Sequence, residues 1–350
     1  MTTTADLSCA CPVLAICGAR GSGKTTLLEA VIPELRAQGL EVGLVRLAAS
    51  GGDAARAVAD CGRLARTGCD VHLIGLALAR KRGQNDDDRW AEAVSNLSHR
   101  YDLVLVEGGG ATELPSVWLE SAKRTQRSVT GRNVKMFLQR DAAPVDDLLS
   151  FLRAWLPEAW RSVPVLGGVL VGGVSSRLGT PKQLLRHAGL SLVERAVAAL
   201  EPHVSSVVLL GWGRVPPSCE ALSRLSDVPG LAGPLAGILA AMRWSPGSAW
   251  LFCPCDLPLV TPAAVEWLIG QRAPGRWTVI PRVTRAGVEP LFALYEPQAR
   301  GVLEAMAAGG VLAPRLVAAH PKSFVPKPPR RLWPCWRNLN SPEDLASLQA

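Results

Sequence analysis

Residues 13–47 read VLAICGARGSGKTTLLEAVIPELRAQGLEVGLVRL. Val13 to Cys17 is an apolar, strand-like run. It leads into Gly18-Ala19-Arg20-Gly21-Ser22-Gly23-Lys24-Thr25, which satisfies G-x-x-x-x-G-K-[ST] at every fixed position. Beyond the loop, Leu27, Leu28, Val31 and Leu35 recur at helical spacing, so a helix is predicted over Lys24 to Gln38. A glycine-rich turn between a strand and a helix start aims successive backbone N–H groups at one phosphate. The cradle would comprise Gly18, Gly21, Ser22, Gly23, Lys24, Thr25 and Thr26. Lys24 would reach the β- and γ-phosphates, and the Thr25 hydroxyl would ligate Mg2+.

The same alternation continues outward. Strands are predicted at Val42 to Leu47, Val71 to Ala77 and Leu103 to Val106, with helices at Asp53 to Arg66 and Trp90 to His99. This βαβ rhythm implies a mainly parallel sheet covered by helices. Around residues 156–164 two prolines interrupt the pattern, and a linker is expected there between domains 1–155 and 165–350. At about 150 residues per domain, 350 residues also favour two domains. The rhythm restarts with strands at Leu166 to Val171, Val207 to Leu210 and Trp250 to Cys253. Helices are predicted at Leu192 to Leu200, Leu235 to Met242, Pro262 to Ile269 and Pro342 to Leu348. The basic, proline-rich stretch Pro321 to Pro334 is expected to be an irregular surface loop.

Composition narrows the function classes. The net charge is +8, which favours anionic partners. With two Tyr and five Phe and no basic helix interleaved with aromatics, a nucleic-acid platform is not expected. No apolar run reaches the ~18 residues of a membrane span despite a mean hydropathy of +0.17. The first twelve residues have no basic segment leading into an apolar one, so a cytoplasmic protein is expected. The nine cysteines include two C-x-C pairs, Cys9/Cys11 and Cys253/Cys255, but lack zinc-site spacing and read as reduced, packed thiols.

A second glycine-rich loop follows the strand that restarts the alternation. Leu170-Val171-Gly172-Gly173-Val174-Ser175-Ser176-Arg177-Leu178-Gly179-Thr180-Pro181-Lys182 has the form L-x-G-G-x-S-x-R-x-G-x-x-K. Paired glycines let backbone approach a nucleotide. Arg177 and Lys182 place positive charge where a triphosphate would lie. Asp256 lies just beyond the strand predicted at Trp250 to Cys253.

These motifs carry family resemblances. The P-loop stretch, together with Tyr101 to Gly108 (YDLVLVEG), resembles the MobB family, small GTP-binding proteins of molybdenum cofactor maturation. The resemblance implies that Glu107 faces the phosphates and metal. Family members usually follow the second strand with a lysine and paired histidines, whereas this chain reads Val45-Arg46-Leu47-Ala48. Arg46 is therefore either a surface charge or a substitute phosphate contact. The second loop, with GPLAGI (Gly233 to Ile238), WLFCPCDLP (Trp250 to Pro258), PLFALY (Pro290 to Tyr295) and NLNSPEDL (Asn338 to Leu345), resembles the MobA family of molybdenum cofactor guanylyltransferases.

Together the resemblances imply an α/β protein of two three-layer domains, P-loop NTPase-like and then Rossmann-like nucleotidyltransferase. The implied reaction joins GMP from GTP to molybdopterin, with Mg2+ on Asp256 and with Arg177, Lys182 and Asp256 as the catalytic set. Leu170, Val171, Gly172, Gly173, Asp227, Gly233 and Pro234 would surround the nucleotide. Family members often carry an Asn after the strand at Val207. Here VVLLGWG has none, so backbone near Leu210 or Gly211 would substitute. GTP and molybdopterin are the implied substrates, and molybdenum-cofactor apo-enzymes and other biosynthetic proteins are candidate partners. Gly172-Gly173 favours guanine, although the GTPKQLL tail also occurs in cytidine-transferring relatives. A cytidylyltransferase, a GTP-dependent delivery adaptor and a sugar-1-phosphate nucleotidyltransferase remain the alternatives.

Overall fold

The computed structural model describes residues 9–48, 54–75, 86–108, 114–120, 133–140, 142–172, 181–283, 287–340 and 344. The chain divides into two units between Ser162 and Val163. No helix among the described residues is long and apolar enough to cross a membrane.

The first unit runs β1 (Val13–Gly18), α1 (Lys24–Ala37), β2 (Val42–Ala48), α2 (Ala54–Ala65), β3 (Asp70–Gly75), α3 (Asp86–Ser98), β4 (Leu103–Glu107), β5 (Ser116–Glu120), β6 (Val134–Gln139) and α4 (Pro144–Arg161). Its six strands form a sheet of order β3-β2-β4-β1-β5-β6 in which every described pair is parallel. Parallel pairing brings the carboxyl ends of β1, β2 and β4 to one edge, so the loops that follow them converge. The α1 residues Leu27, Leu28, Val31, Ile32 and Leu35 are buried on one face, as the helical period requires.

The expected linker at 156–164 is helical through Arg161. α4 buries Leu148, Leu149, Leu152, Leu156 and Trp160, and this apolar stripe continues past Pro157. An interior proline removes one backbone hydrogen bond. The buried side chains on either side outweigh it, so the helix continues.

The second unit begins with β7 (Val165–Leu170). A short hairpin, β8 (Arg186–His187) and β9 (Leu190–Ser191), leads to α5 (Leu192–Leu200). Then come β10 (Val207–Leu210), β11 (Ser223–Leu225), α6 (Pro234–Trp244), β12 (Ala249–Pro254), α7 (Pro262–Ile269), β13 (Thr278–Val279), β14 (Ala293–Tyr295), α8 (Ala299–Ala308) and β15 (Ser323–Phe324). The sheet order is β11-β10-β7-β12-β14-β13-β15, with β14 antiparallel to both its neighbours. α5 starts on a reciprocal capping box: Glu194 N–H donates to the Ser191 hydroxyl, and Ser191 N–H donates to the Glu194 carboxylate.

The adjacent glycines of β7 have a packing cause. A Cβ on Gly168 would come within 2.7 Å of the Phe252 ring. That ring stacks on Trp250 at 5.8 Å and meets Tyr295 edge-on. The small strand residue thus leaves room for a buried aromatic layer.

The stretch Pro321 to Pro334 is not a surface loop throughout. It contributes β15 and enters a 3-10 turn, Arg330–Trp336, that buries Leu332, Cys335 and Trp336. The Trp336 indole N–H donates to the Phe292 carbonyl at 3.1 Å and its ring packs on Trp267 and Phe292. The helix expected at Pro342 to Leu348 lies outside the described residues, Asp344 excepted.

A buried bidentate pair ties the unit's elements together. Arg272 donates to Glu296 through Nε at 2.7 Å and Nη2 at 2.9 Å, and through Nη1 to the Val163 carbonyl at 3.1 Å. The two side chains are 2% and 1% exposed. Removing one member strips a buried charge of its ionic partner, whereas replacing both with apolar residues does not. Arg272→Met is expected to lower unfolding free energy by about 3–5 kcal/mol in urea denaturation, and Arg272→Met/Glu296→Leu to recover most of that.

Candidate functional site

In the N-terminal unit the loop from β1 to α1 depends on left-handed glycines: φ is 146° at Gly18, 77° at Gly21 and 98° at Gly23. A Cβ on Gly18 would also collide with the Leu119 carbonyl of β5. α1 therefore starts with no side-chain cap and no acidic residue in its first turn, and its N-terminus is left to serve an anion. Among the described residues the buried Ser22 hydroxyl has no hydrogen-bond partner. Lys24 Nζ donates to the loop's own carbonyls, Gly18 and Ala19, both at 2.9 Å. Burial holds its pKa below the usual lysine value, against an opposing pull from Glu107. Thr26 is exposed.

Glu107 ends β4 and is 5% exposed. It accepts from the Thr25 hydroxyl at 2.6 Å and from Arg46 Nη1 at 2.6 Å. Arg46 is 15% exposed at its side chain. It also donates to Asp60 of α2 at 2.7 Å and to Thr25 Oγ1 at 3.3 Å. It is thus no solvated surface charge. Sequence reading missed Asp60, because its role comes only from the pairing of β2 with β4 and the position of α2.

In the second unit, two loops meet over one cleft of about 410 Å³. β7 and β12 are parallel, with Leu170 opposite Pro254. Cys255 N–H then donates to the Leu170 carbonyl at 3.2 Å, and Asp256 follows at the cleft. Gly172 also lines the cleft, and a Cβ there would meet nothing within 4 Å. Val171 is buried and does not line the cleft. A Cβ on Gly213 would collide with the Val171 carbonyl, and one on Gly211 would come within 3.1 Å of Gly172 N. The glycines of VVLLGWG therefore let the chain leaving β10 run against the β7 loop. Gly173 and Arg177 lie outside the described residues.

Lys182 Nζ is 3.5 Å from Asp256 Oδ2 and donates to Asn340 Oδ1 at 3.1 Å. Leu339 N–H donates to the Asp256 carbonyl at 2.8 Å. The start of α6 also lines the cleft: Gly233 takes φ 76° and Pro234 occupies the first turn. Asp227 and Gly237 also line the cleft. A Cβ on Gly237 would come within 3.2 Å of both Asp227 Oδ1 and Leu170 Cδ2, so the glycine lets this helix approach the cleft floor.

Of the residues expected around a nucleotide, Leu170, Gly172, Lys182, Asp227, Gly233, Pro234 and Asp256 are brought together. Gln183 and Leu291 join them; they lie in GTPKQLL and PLFALY, but neither string marked them individually as site residues. Asn340 lies in NLNSPEDL, but nothing in that string says that it holds Lys182.

Burial pushes the Asp256 carboxyl above the usual carboxylate value, and the Lys182 ammonium offsets part of this. Burial, with Asp256's charge added, pushes Glu289 the same way. Burial also drives Cys255 up to about 12 and Cys253 well above an ordinary thiol, so both stay protonated near neutral pH. A second cleft of about 260 Å³ shares Asp256, Pro234, Pro254 and Leu291 with the first and adds Glu289, Arg315, Trp336 and Asn338.

Family models match both halves: Molybdopterin guanine dinucleotide synthesis protein B over residues 13–137, and the MobA-like NTP transferase domain over 167–323. A solved structure of molybdopterin-guanine dinucleotide biosynthesis protein A from Archaeoglobus fulgidus is 26% identical, with a TM-score of 0.42 over 52% of this chain and 96% of its own. Hydrogenase maturation factor HypB from the same organism is 19% identical, with a TM-score of 0.29 over 42% of this chain and 91% of its own. The molybdenum cofactor guanylyltransferase of Sinorhizobium fredii is 33% identical over 36% of this chain and 61% of its own length. That of Rhizobium meliloti is 33% identical over 195 residues, which are 52% of this chain and 89% of the relative. By that coverage, the chain belongs to the molybdenum cofactor guanylyltransferase family.

Proposed function

We propose that the C-terminal half transfers GMP from GTP to the terminal phosphate of molybdopterin, giving the guanine dinucleotide and pyrophosphate, while the N-terminal half binds GTP as an accessory domain. The supporting observation is the meeting of Lys182 and Asp256 in one cleft with the bare backbone of Gly172 and the start of α6. The acceptor phosphate is already anionic at neutral pH, so its oxygen attacks the α-phosphorus without a strong general base. The bond to the bridging oxygen breaks, and the electron pair leaves with pyrophosphate. Lys182 offsets the charge gathering on the leaving group, and Arg177 would join it from the loop. Asn340 and Asp256 orient the Lys182 ammonium, and the α6 N-terminus adds a partial positive charge at the cleft. The second cleft borders Asp256 and is our assignment for the pterin, with Arg315 available to its phosphate.

A magnesium ion fits this site's donor set. Asp256 and Asp227 line the same cleft. No group of three or more His, Cys, Asp or Glu that could hold a metal occurs among the described residues. Mg2+ commonly takes one or two carboxylates and completes its shell with water and substrate phosphates. Asp256 is our assignment as its principal ligand, and when bound the ion would neutralise charge on the reacting phosphates.

Pyrophosphate release from each of the four nucleoside triphosphates, with molybdopterin present, tests this reading. GTP should be the productive substrate, and Asp256→Asn and Lys182→Ala should each lower kcat/KM by roughly 100-fold or more. Turnover with CTP instead would make the chain a cytidylyltransferase. No turnover with any triphosphate would leave a delivery adaptor.

Asp256 also has a predictable effect on stability. A carboxyl whose folded pKa is raised contributes stability below its unfolded pKa, and that contribution is lost as pH rises through the folded value. At pH 7 its ionised form is therefore a cost to folding. Asp256→Asn should leave Tm at pH 7 unchanged or higher while activity is lost. The acid limb of kcat/KM should lie above the ordinary Asp range, because Asp256 must be ionised.

A further inference from the structure

The N-terminal site departs from the cation-binding arrangement that its loop implies. A P-loop nucleotide normally shares its magnesium ion with the loop's Ser/Thr hydroxyl and a strand-end carboxylate. Here the corresponding groups are Thr25 and Glu107, and both already face a cation. Arg46 Nη1 lies 2.6 Å from Glu107 Oε2 and 3.3 Å from Thr25 Oγ1, while the Thr25 hydroxyl donates its proton to Glu107 Oε1 at 2.6 Å. Asp60 holds the other arm of the guanidinium at 2.7 Å, and Arg46 is only 15% exposed at its side chain. A guanidinium is permanently charged, and its planar fork is held here on two carboxylates. A divalent ion at Thr25 and Glu107 would have to displace it and leave Asp60 facing the arginine alone. The donor set as arranged does not fit magnesium.

We infer that the Arg46 guanidinium supplies the countercharge a divalent cation supplies in other P-loops, so that this half binds nucleotide phosphate without magnesium. Arg46 is joined to Thr25, the residue directly after Lys24, so the two cations flank the same loop end. Charge neutralisation of a bound diphosphate would then come from Lys24, Arg46 and the backbone N–H groups of the loop. The inference rests on the reading that this half binds a nucleotide.

Titration of the full chain with a fluorescent GDP analogue tests it, in magnesium and in EDTA. The part of the signal that Lys24→Ala removes reports this site, which separates it from the transferase cleft. In the wild type the Kd of that part should change by less than about threefold between the two buffers. In Arg46→Gln it should weaken by about tenfold or more in EDTA and recover with magnesium, as the vacated carboxylate accepts the ion. A larger loss in EDTA by the wild type overturns the inference, and so does an Arg46→Gln protein as indifferent to magnesium as its parent. If the variant does not fold, the wild-type comparison alone decides. Complete lack of Lys24-dependent binding would overturn the inference and the nucleotide reading of this half together. Lys24-dependent binding that needs magnesium would overturn the inference alone.

Discussion

The parallel pairing of Leu170 with Pro254 is the constraint on which the C-terminal half depends. It brings together the ends of two strands separated by more than eighty residues of chain. The Cys255 N–H closes on the Leu170 carbonyl one step beyond the ladder, and the next residue is Asp256. A one-residue slip in this register would exchange the faces of every β12 side chain and carry the carboxylate away from Lys182. The aromatic layer of Trp250, Phe252 and Tyr295 opposes such a slip, because the Phe252 ring occupies the space that a Cβ on its register partner Gly168 would need.

The N-terminal half applies the same sheet logic with a different loop. Its described strands pair in parallel and its phosphate loop leaves β1 at the edge where β2 and β4 also end. What differs is the electrostatics at the strand ends. In the C-terminal half, among the described residues, Lys182 stands beside the carboxylate, 3.5 Å away, and both line the cleft. In the N-terminal half a guanidinium closes on the strand-end carboxylate at 2.6 Å, with a second carboxylate behind it. One chain thus holds two nucleotide-type loops whose countercharges are arranged differently.

Much of this was legible in the amino-acid order. The glycine-rich loops could be read because phosphate chemistry demands backbone N–H groups, and only a few residue types leave them accessible. The buried strands Val13–Gly18 and Leu103–Glu107 were legible as apolar runs. Three kinds of feature were not. α4 reads as a break because local proline chemistry argues against helix, while the tertiary stripe of Leu148, Leu152, Leu156 and Trp160 overrides it. Leu332, Cys335 and Trp336 are diluted among prolines and arginines, so their burial has no periodic signature. The third kind is long-range pairing. Arg46 was noticed as a departure, but its contact with Asp60 and Glu107 depends on strand order, which no local pattern contains.

Leu339 and Asn340 reach back to Asp256 and Lys182, so two hydrogen bonds close spans of more than eighty and more than 150 residues onto the cleft's two charged groups. Closing a loop of that length costs chain entropy, and each doubling of the span adds only about 0.6 kcal/mol to it. Cutting the backbone between Asp256 and Leu339 would turn this internal tether into an association of two separate pieces and forfeit the effective concentration that one continuous chain provides.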